Sequence, residues 1–388
     1  MTAVNLDHIS SNHLLPEVQE AMTEAIRGNY GNPSSQNASG EKALEALDTA
    51  RDSVSRLLNC KNNKEVIFTS GGTESINHAI KGVAFANADK GKHIVTTNIE
   101  HNSVTKSIKR LSQMGYSVTS LSVDSKGRVD PGEVEKAITE ETILVSVMHS
   151  NNEIGTLQPL EEISKITKAR KIILHSDAVD SVGVIPVDVQ KLGVDVLSFA
   201  SNPFYGPTGA GGTYIRRGVG IWPILDGGTQ ERNKRAGSEN LMGIIGMGVA
   251  ADLAAKHMDQ RVAHLQGLKD LFIKELPNYI DDYYVNGDPE NGLPNLISVA
   301  IKYIEGESIV LMLEDDGYIV STRSACATGS LRASHVLMSI GLDHADAQGT
   351  LVVTPGIENT EADIMGFLKA LQKIVKSLRD ISPLCRIG

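Results

Sequence analysis

The apolar positions of this chain follow two spacings. In "GEKALEALDTARDSVSRLL" (40–58), Ala43, Leu44, Leu47, Val54, Leu57 and Leu58 recur at steps of three and four, which predicts an amphipathic helix. Beyond it, short apolar runs read as strands: "EVIFTS" (65–70), "HIVTTN" (93–98), "YSVTSLSV" (116–123), "TILVSVMH" (142–149), "KIILHSDA" (171–178) and "DVLSFAS" (195–201). Most are separated by helix-length segments. That alternation predicts an α/β fold built on a largely parallel, helix-covered sheet. "LSFASNPFYGPTGAGGTYIRR" (197–217) reads as a buried strand, a glycine-proline turn and a second strand.

A long helical stretch follows from Gly237 through Leu276. After it, "NLISVAI", "YIVST" and "TLVVT" alternate with further helices. This pattern predicts an arm over 1–15, a large domain over 16–254 and a smaller α+β domain over 255–388 that the arm joins. The length of 388 residues agrees with two domains.

Charge and composition remove whole classes of function. The net charge is −10 and no basic run exceeds scattered pairs, so the electrostatic footprint of nucleic-acid binding is missing. "MTAVNLDHIS" has neither a basic n-region nor an apolar h-region, and no run reads as a membrane span. A cytoplasmic protein is expected. Three cysteines, Cys60, Cys326 and Cys385, lie far apart without CxxC spacing, which suggests neither a disulfide framework nor a local zinc site.

Candidate chemistry begins with "FTSGGTES", which sets Gly71, Gly72 and Thr73 between a strand and a helix. Exposed N–H groups and the helix dipole there favour a phosphate, although a plain turn reads the same way. Asp177 ends a strand at the sheet edge where open α/β folds bind ligands, or else caps a helix. His101 is a candidate to stack on or protonate a ligand, or is structural.

Taken in order, "GNPSS" (31–35), "SGGTES" (70–75), "IEH" (99–101), "NNEIGTLQP" (151–159), "SDA" (176–178), "YGPTGAGG" (205–212), "GSEN" (237–240), "EGESIVL" (305–311), "SAC" (324–326) and "SHVLMSIGL" (334–342) resemble the NifS/IscS-type cysteine desulfurases. These are fold-type I enzymes of pyridoxal phosphate (PLP). The resemblance implies a large domain with a mostly parallel sheet, a small domain, and a homodimer with sites at its interface. It assigns the cofactor phosphate to Gly72 and Thr73, ring stacking to His101, the ring oxygen to Asn152, and the pyridine nitrogen to Asp177. Ser238 is assigned to the phosphate across the dimer. Cys326 matches the nucleophile that carries sulfur as a persulfide.

The chain departs from that pattern where the chemistry sits. Family members read Ser-x-His-Lys before the "YGP" turn, where this chain has Ala200, Ser201, Asn202 and Pro203. Lysine holds PLP covalently, and proline has no nitrogen for that role. No lysine occurs between Lys191 and Lys234 to replace it. The ring-oxygen glutamine corresponds to Asp180, and the arginine that grips the substrate carboxylate corresponds to Val352. The arm "Asp-Asn-Ala-Ala-Thr-Thr-Pro" is here Asp7 to His13. Cys326 remains in a Ser/Thr/Gly/Ala-rich stretch, with Arg323 nearby to favour its thiolate.

Three functions stay open on this reading. The first is a sulfur-handling protein in which Cys326 carries a persulfide or ligates an iron–sulfur cluster with an IscU-like scaffold protein or another sulfur acceptor. The second is a desulfurase or lyase that binds PLP non-covalently. The third is a silent subunit paired with an active paralogue.

Overall fold

The structure, a computed structural model, describes residues 3–28, 30–322 and 333–382. Among the described residues twelve strands run in chain order: β1 Val4–Asn5, β2 Val66–Thr69, β3 His93–Thr97, β4 Ser117–Leu121, β5 Thr142–Ser146, β6 Ile173–Asp177, β7 Val196–Ala200, β8 Gly211–Ile215, β9 Tyr283–Val285, β10 Ile297–Ile301, β11 Tyr318–Ile319 and β12 Thr350–Val353. Seven of them form the main sheet in the order β2-β8-β7-β6-β5-β3-β4. Only β8 runs against its neighbours. The strands read from the apolar runs are all present.

Alternation along these strands feeds two cores, one on each face. Val95, Val145, Leu174 and Leu197 point into a core with Leu47 and Val54 of helix Ala38–Leu57 and Met247 of helix Leu241–Glu275. Their chain neighbours Ile94, Leu144 and Val196 point the other way, onto Ile76 and Ile80 of helix Gly72–Ala86 and Val104 and Ile108 of helix Asn102–Gln113. Covered on both faces, β3, β5 and β7 are buried throughout, whereas the edge strand β4 is only partly covered.

A second, three-stranded antiparallel sheet, β12-β10-β9, packs with helices Gly306–Asp315 and Glu361–Ile381 around Ile297, Ile309 and Phe367. Leu6 of the arm enters this core, and β1 pairs in parallel with β11. The helix Leu241–Glu275 links the two parts without a break. Its apolar residues pack in the first core up to Ala254 and in the second from Leu268.

By length and composition this helix could cross a membrane, which the reading of apolar runs did not pick out. More than half of its most apolar window is buried against the protein, as in the core helix of a soluble protein.

Candidate functional site

The carboxyl ends of β3, β5, β6 and β7 lie along one edge of the sheet, and Asp177, His101 and Asn152 stand on or just beyond the ends of β6, β3 and β5. Asp177 closes β6, and its Oδ1 accepts the Val179 N–H at 3.0 Å. Burial, with Asp180 adding a like charge, pushes its carboxyl up to about 7. Glu100, just beyond β3, is fully buried. One of its oxygens accepts from Thr97 Oγ1 at 2.7 Å and from Met148 N–H at 3.0 Å; Oε2 has no partner. Burial, reinforced by Asp177, pushes it up to about 8. Glu100 therefore holds its proton at neutral pH, a property the sequence reading missed.

Gly71 and Gly72 open the helix that follows β2. Gly71 sits at φ 143°, and a Cβ on Gly72 would meet the Val179 side chain at 2.7 Å, so both positions need glycine. The first turn thereby presents bare N–H groups beside Thr73. Thr73 Oγ1 lies 3.1 Å from Ser103 Oγ, and the Ser103 N–H donates to His101 Nδ1 at 3.1 Å. With Nδ1 accepting, the proton of a neutral His101 ring sits on Nε2. Ser103 is thus the hinge between the two named residues, and it was not singled out from sequence.

Asn152 is half-buried in the turn after β5. Its neighbour Asn151 anchors that turn, donating to the Ile99 carbonyl at 2.9 Å and accepting from the Glu153 and Ile154 N–H groups. Ser238 is exposed. Its loop is tied to the glycine-turn helix by Arg235, whose Nε meets Glu74 at 2.8 Å, and the preceding segment is fixed by the buried Arg51–Glu231 pair at 2.6 Å. Cys326, the candidate nucleophile and metal ligand, lies outside the described residues, as do Arg323 and Cys385. Among the described residues no group of three or more His, Cys, Asp or Glu could hold a metal ion. Cys60 is the free thiol described, and burial pushes it up to about 12, far from a thiolate.

The surroundings of Pro203 and Val352 are of another kind. β7 ends at Ala200 and passes into the short turn Asn202–Phe204, with Pro203 buried and Tyr205 in the left-handed region at φ 67°. Asn12 of the arm closes on this turn, donating to the carbonyls of Asn202 at 2.9 Å and Pro203 at 3.3 Å. Pro203 has no side-chain nitrogen with which to bond a carbonyl ligand. Val352 of β12 is buried with Ile9, Val184, Leu293 and Leu296, so apolar side chains surround it on a dry contact between arm and sheet.

The comparisons agree with this architecture. The family described as Aminotransferase class-V matches residues 4–367. The chain belongs to that family, and within it to the NifS/IscS cysteine desulfurase branch. It is 47% identical over 380 residues to cysteine desulfurase IscS of Dictyoglomus turgidum, covering 98% of this chain and 96% of the relative. Cysteine desulfurase IscS 1 of Archaeoglobus fulgidus is 45% identical, over 98% of this chain and 99% of the relative. Among solved structures, a NifS-like protein superposes with a TM-score of 0.91 at 36% identity, over 97% of this chain and 100% of the other. The fold is that of the NifS-like PLP enzymes, α/β with a mostly parallel central sheet.

Proposed function

We propose that this chain is a sulfur-mobilising member of the cysteine desulfurase family that works without a covalently held PLP. Cys326 is the working group on this reading. It carries sulfur as a persulfide, or supplies a thiolate to an iron–sulfur cluster, in company with an IscU-like scaffold or another sulfur acceptor. The observation that carries the reading is Pro203. It stands where the family pattern expects lysine, in a buried turn that Asn12 clamps through two carbonyls.

The residues fit PLP in part. The Gly71–Thr73 turn suits a phosphate, and a buried carboxyl at Asp177 suits a pyridine nitrogen. They do not fit the covalent form, because Pro203 offers no amine and Ala200 and Asn202 replace the serine and histidine of the pattern. PLP, bound covalently, would act as an electron sink for the amino-acid substrate; no step of this proposal passes through it. The dry contact of Val352 with Ile9 supports the same reading, since a guanidinium expected at that position would grip a substrate carboxylate.

On this reading the chain is a cytoplasmic homodimer, with Ser238 reaching the partner's site, and its parts divide near residue 255. A second reading, non-covalent PLP use, is favoured by the intact glycine turn. The absorbance spectrum on addition of PLP, and its removal by gel filtration, separates the two. The main test compares wild type with Cys326→Ser, co-expressed with the organism's scaffold protein, for persulfide labelling and anaerobic cluster colour. Loss of both signals is expected in the serine variant. Equal signals would leave Cys326 a bystander and make the chain a silent partner of a lysine-bearing paralogue.

A further inference from the structure

The Arg216–Arg217 pair is isolated in the sequence, but the fold gathers three more cations around it. The loop that leaves β8, the turn ahead of β2 and the segment 232–234 enclose a cavity of about 480 Å³, whose charged lining is Lys64, Arg216, Arg217, Arg232, Lys234 and Glu65. It lies where Val66 pairs with Tyr214, whereas the glycine turn follows the Thr69–Gly211 end of the same strand pair. The two places are therefore distinct. In a chain of net charge −10, five cations lining one cavity are a concentration that no run of sequence announces.

The carboxylates nearby are already committed. Glu65 is buried, and its oxygens accept the N–H groups of Lys61 at 3.1 Å, Asn62 at 3.3 Å and Arg217 at 3.0 Å. Glu231 is engaged by Arg51 and by the Phe68 N–H, and Asp195 pairs with Arg216. Among the described residues the side chains of Lys64, Arg217 and Lys234 have no hydrogen-bond or ion-pair partner. Arg232 is anchored by Nη2, which donates to the carbonyls of Lys64 at 3.0 Å and Val66 at 2.8 Å. Lys234 is half-buried beside it, and burial, reinforced by Arg232, holds its ammonium below the ordinary lysine value. The backbone that brings them there is strained: Glu231, Arg232 and Asn233 follow one another in the left-handed region, at φ 45°, 58° and 62°. Such strain persists where its surroundings fix it, here through the buried Arg51–Glu231 pair and the two carbonyls on Arg232. Like charges are thus held together at a cost in stability.

We propose that this cavity is a binding site for a small molecule that carries a diphosphate group, free or esterified. The guanidinium of Arg217 and the unused N–H groups of Arg232 suit phosphate oxygens, and the ammonium groups of Lys64 and Lys234 add point charge. With Arg216 paired to Asp195, four cations remain to be matched. One carboxylate or one sulfate leaves most of them unmatched, whereas a diphosphate spreads several charges over two linked groups. The volume is that of a small-molecule site, not of a flat docking surface. A bound diphosphate offsets the mutual repulsion of Arg232 and Lys234, and it does so whatever Cys326 does.

Calorimetric titration of the full chain tests it, with inorganic pyrophosphate, ADP, adenosine and sulfate as probes at matched ionic strength. Pyrophosphate should bind at one site per chain, adenosine should not bind, and sulfate should bind at least about tenfold more weakly than pyrophosphate. ADP binding as tightly as pyrophosphate or more tightly assigns the esterified form; weaker or absent ADP binding assigns the free form. Arg217→Gln and Lys234→Gln should each weaken pyrophosphate about three- to tenfold, and more in combination. Lys109→Gln, exposed on another helix, and Thr73→Ala, at the glycine turn, should leave it unchanged. Because Arg217 and Lys234 pair with nothing in the fold, both glutamine variants should keep the wild-type urea midpoint or exceed it. Sulfate binding as tightly as pyrophosphate, or no pyrophosphate binding up to about 1 mM, would overturn the proposal. So would loss of binding in Thr73→Ala while Arg217→Gln and Lys234→Gln bind as wild type, which would put the phosphates at the glycine turn.

Discussion

The two walls of the candidate site obey different physics. On one wall the glycine turn, Thr73, Ser103, His101 and Asp177 form a polar surface of bare N–H groups, hydroxyls and carboxyls at the ends of parallel strands. On the other, Pro203 lies in a clamped turn, and Val352 and Ile9 lie in an apolar seam. The first wall costs stability, since it buries two carboxyls with few donors. The second contributes stability through apolar burial and hydrogen bonds. On the proposed function, a polar wall kept at a cost in stability beside a side built for packing is what a site that holds a ligand without lysine chemistry would need.

The contrast is sharpest in Val352→Arg. An arginine at this position would bury a charge among Ile9, Val184, Leu293 and Leu296 without a partner, and should destabilise the protein by about 3–5 kcal/mol in urea denaturation. A loss under about 1 kcal/mol would mean that the seam admits water or a counter-ion.

The polar wall should respond in the opposite direction. The carboxyls of Asp177 and Glu100 sit at about 7 and about 8 in the folded protein, above their unfolded values. Between roughly pH 4 and pH 8 the folded state therefore holds more protons than the unfolded chain. Their stability contribution is full below about pH 4 and is lost as the pH rises through 7 and 8. Asp177→Asn should accordingly gain about 1–3 kcal/mol over wild type at pH 8, and little at pH 4. Equal pH dependence in the two proteins would place the cost elsewhere.

Smaller effects probe the clamp and the loop. Asn12→Ala removes two hydrogen bonds to the Pro203 turn and should cost about 1–2 kcal/mol, with faster exchange at 201–207. Ser238→Ala, at an exposed position, should change the stability of an isolated subunit by less than about 0.5 kcal/mol. A larger effect that appears only in an assembled dimer would support its reach across the interface.

Local signals made the first wall legible in the sequence. A glycine pair between strand and helix, an aspartate at a strand end and a histidine after an apolar run each act within a few residues of their neighbours. The strands were legible for the same reason, through alternation and flanking turns. β9 escaped notice because Tyr283–Val285 is short and incompletely buried, and β1 because two residues carry no period. Glu100 was invisible because its protonation depends on burial under distant chain, although its place between Ile99 and His101 hinted at an inward position. The pairs Arg51–Glu231 and His8–Glu358 join residues far apart in sequence, and no spacing announces them. Pro203 was legible as a departure from a pattern; that Asn12 clamps it was not.

The central claim is that no lysine of this protein holds PLP. Purified protein incubated with excess PLP, reduced with borohydride and digested, should yield no stoichiometric pyridoxyl-lysine peptide anywhere in the chain, while an authentic cysteine desulfurase treated alongside gives full labelling. A single lysine labelled in proportion to protein, with cysteine-dependent sulfide release that disappears when that lysine is replaced, would contradict the account.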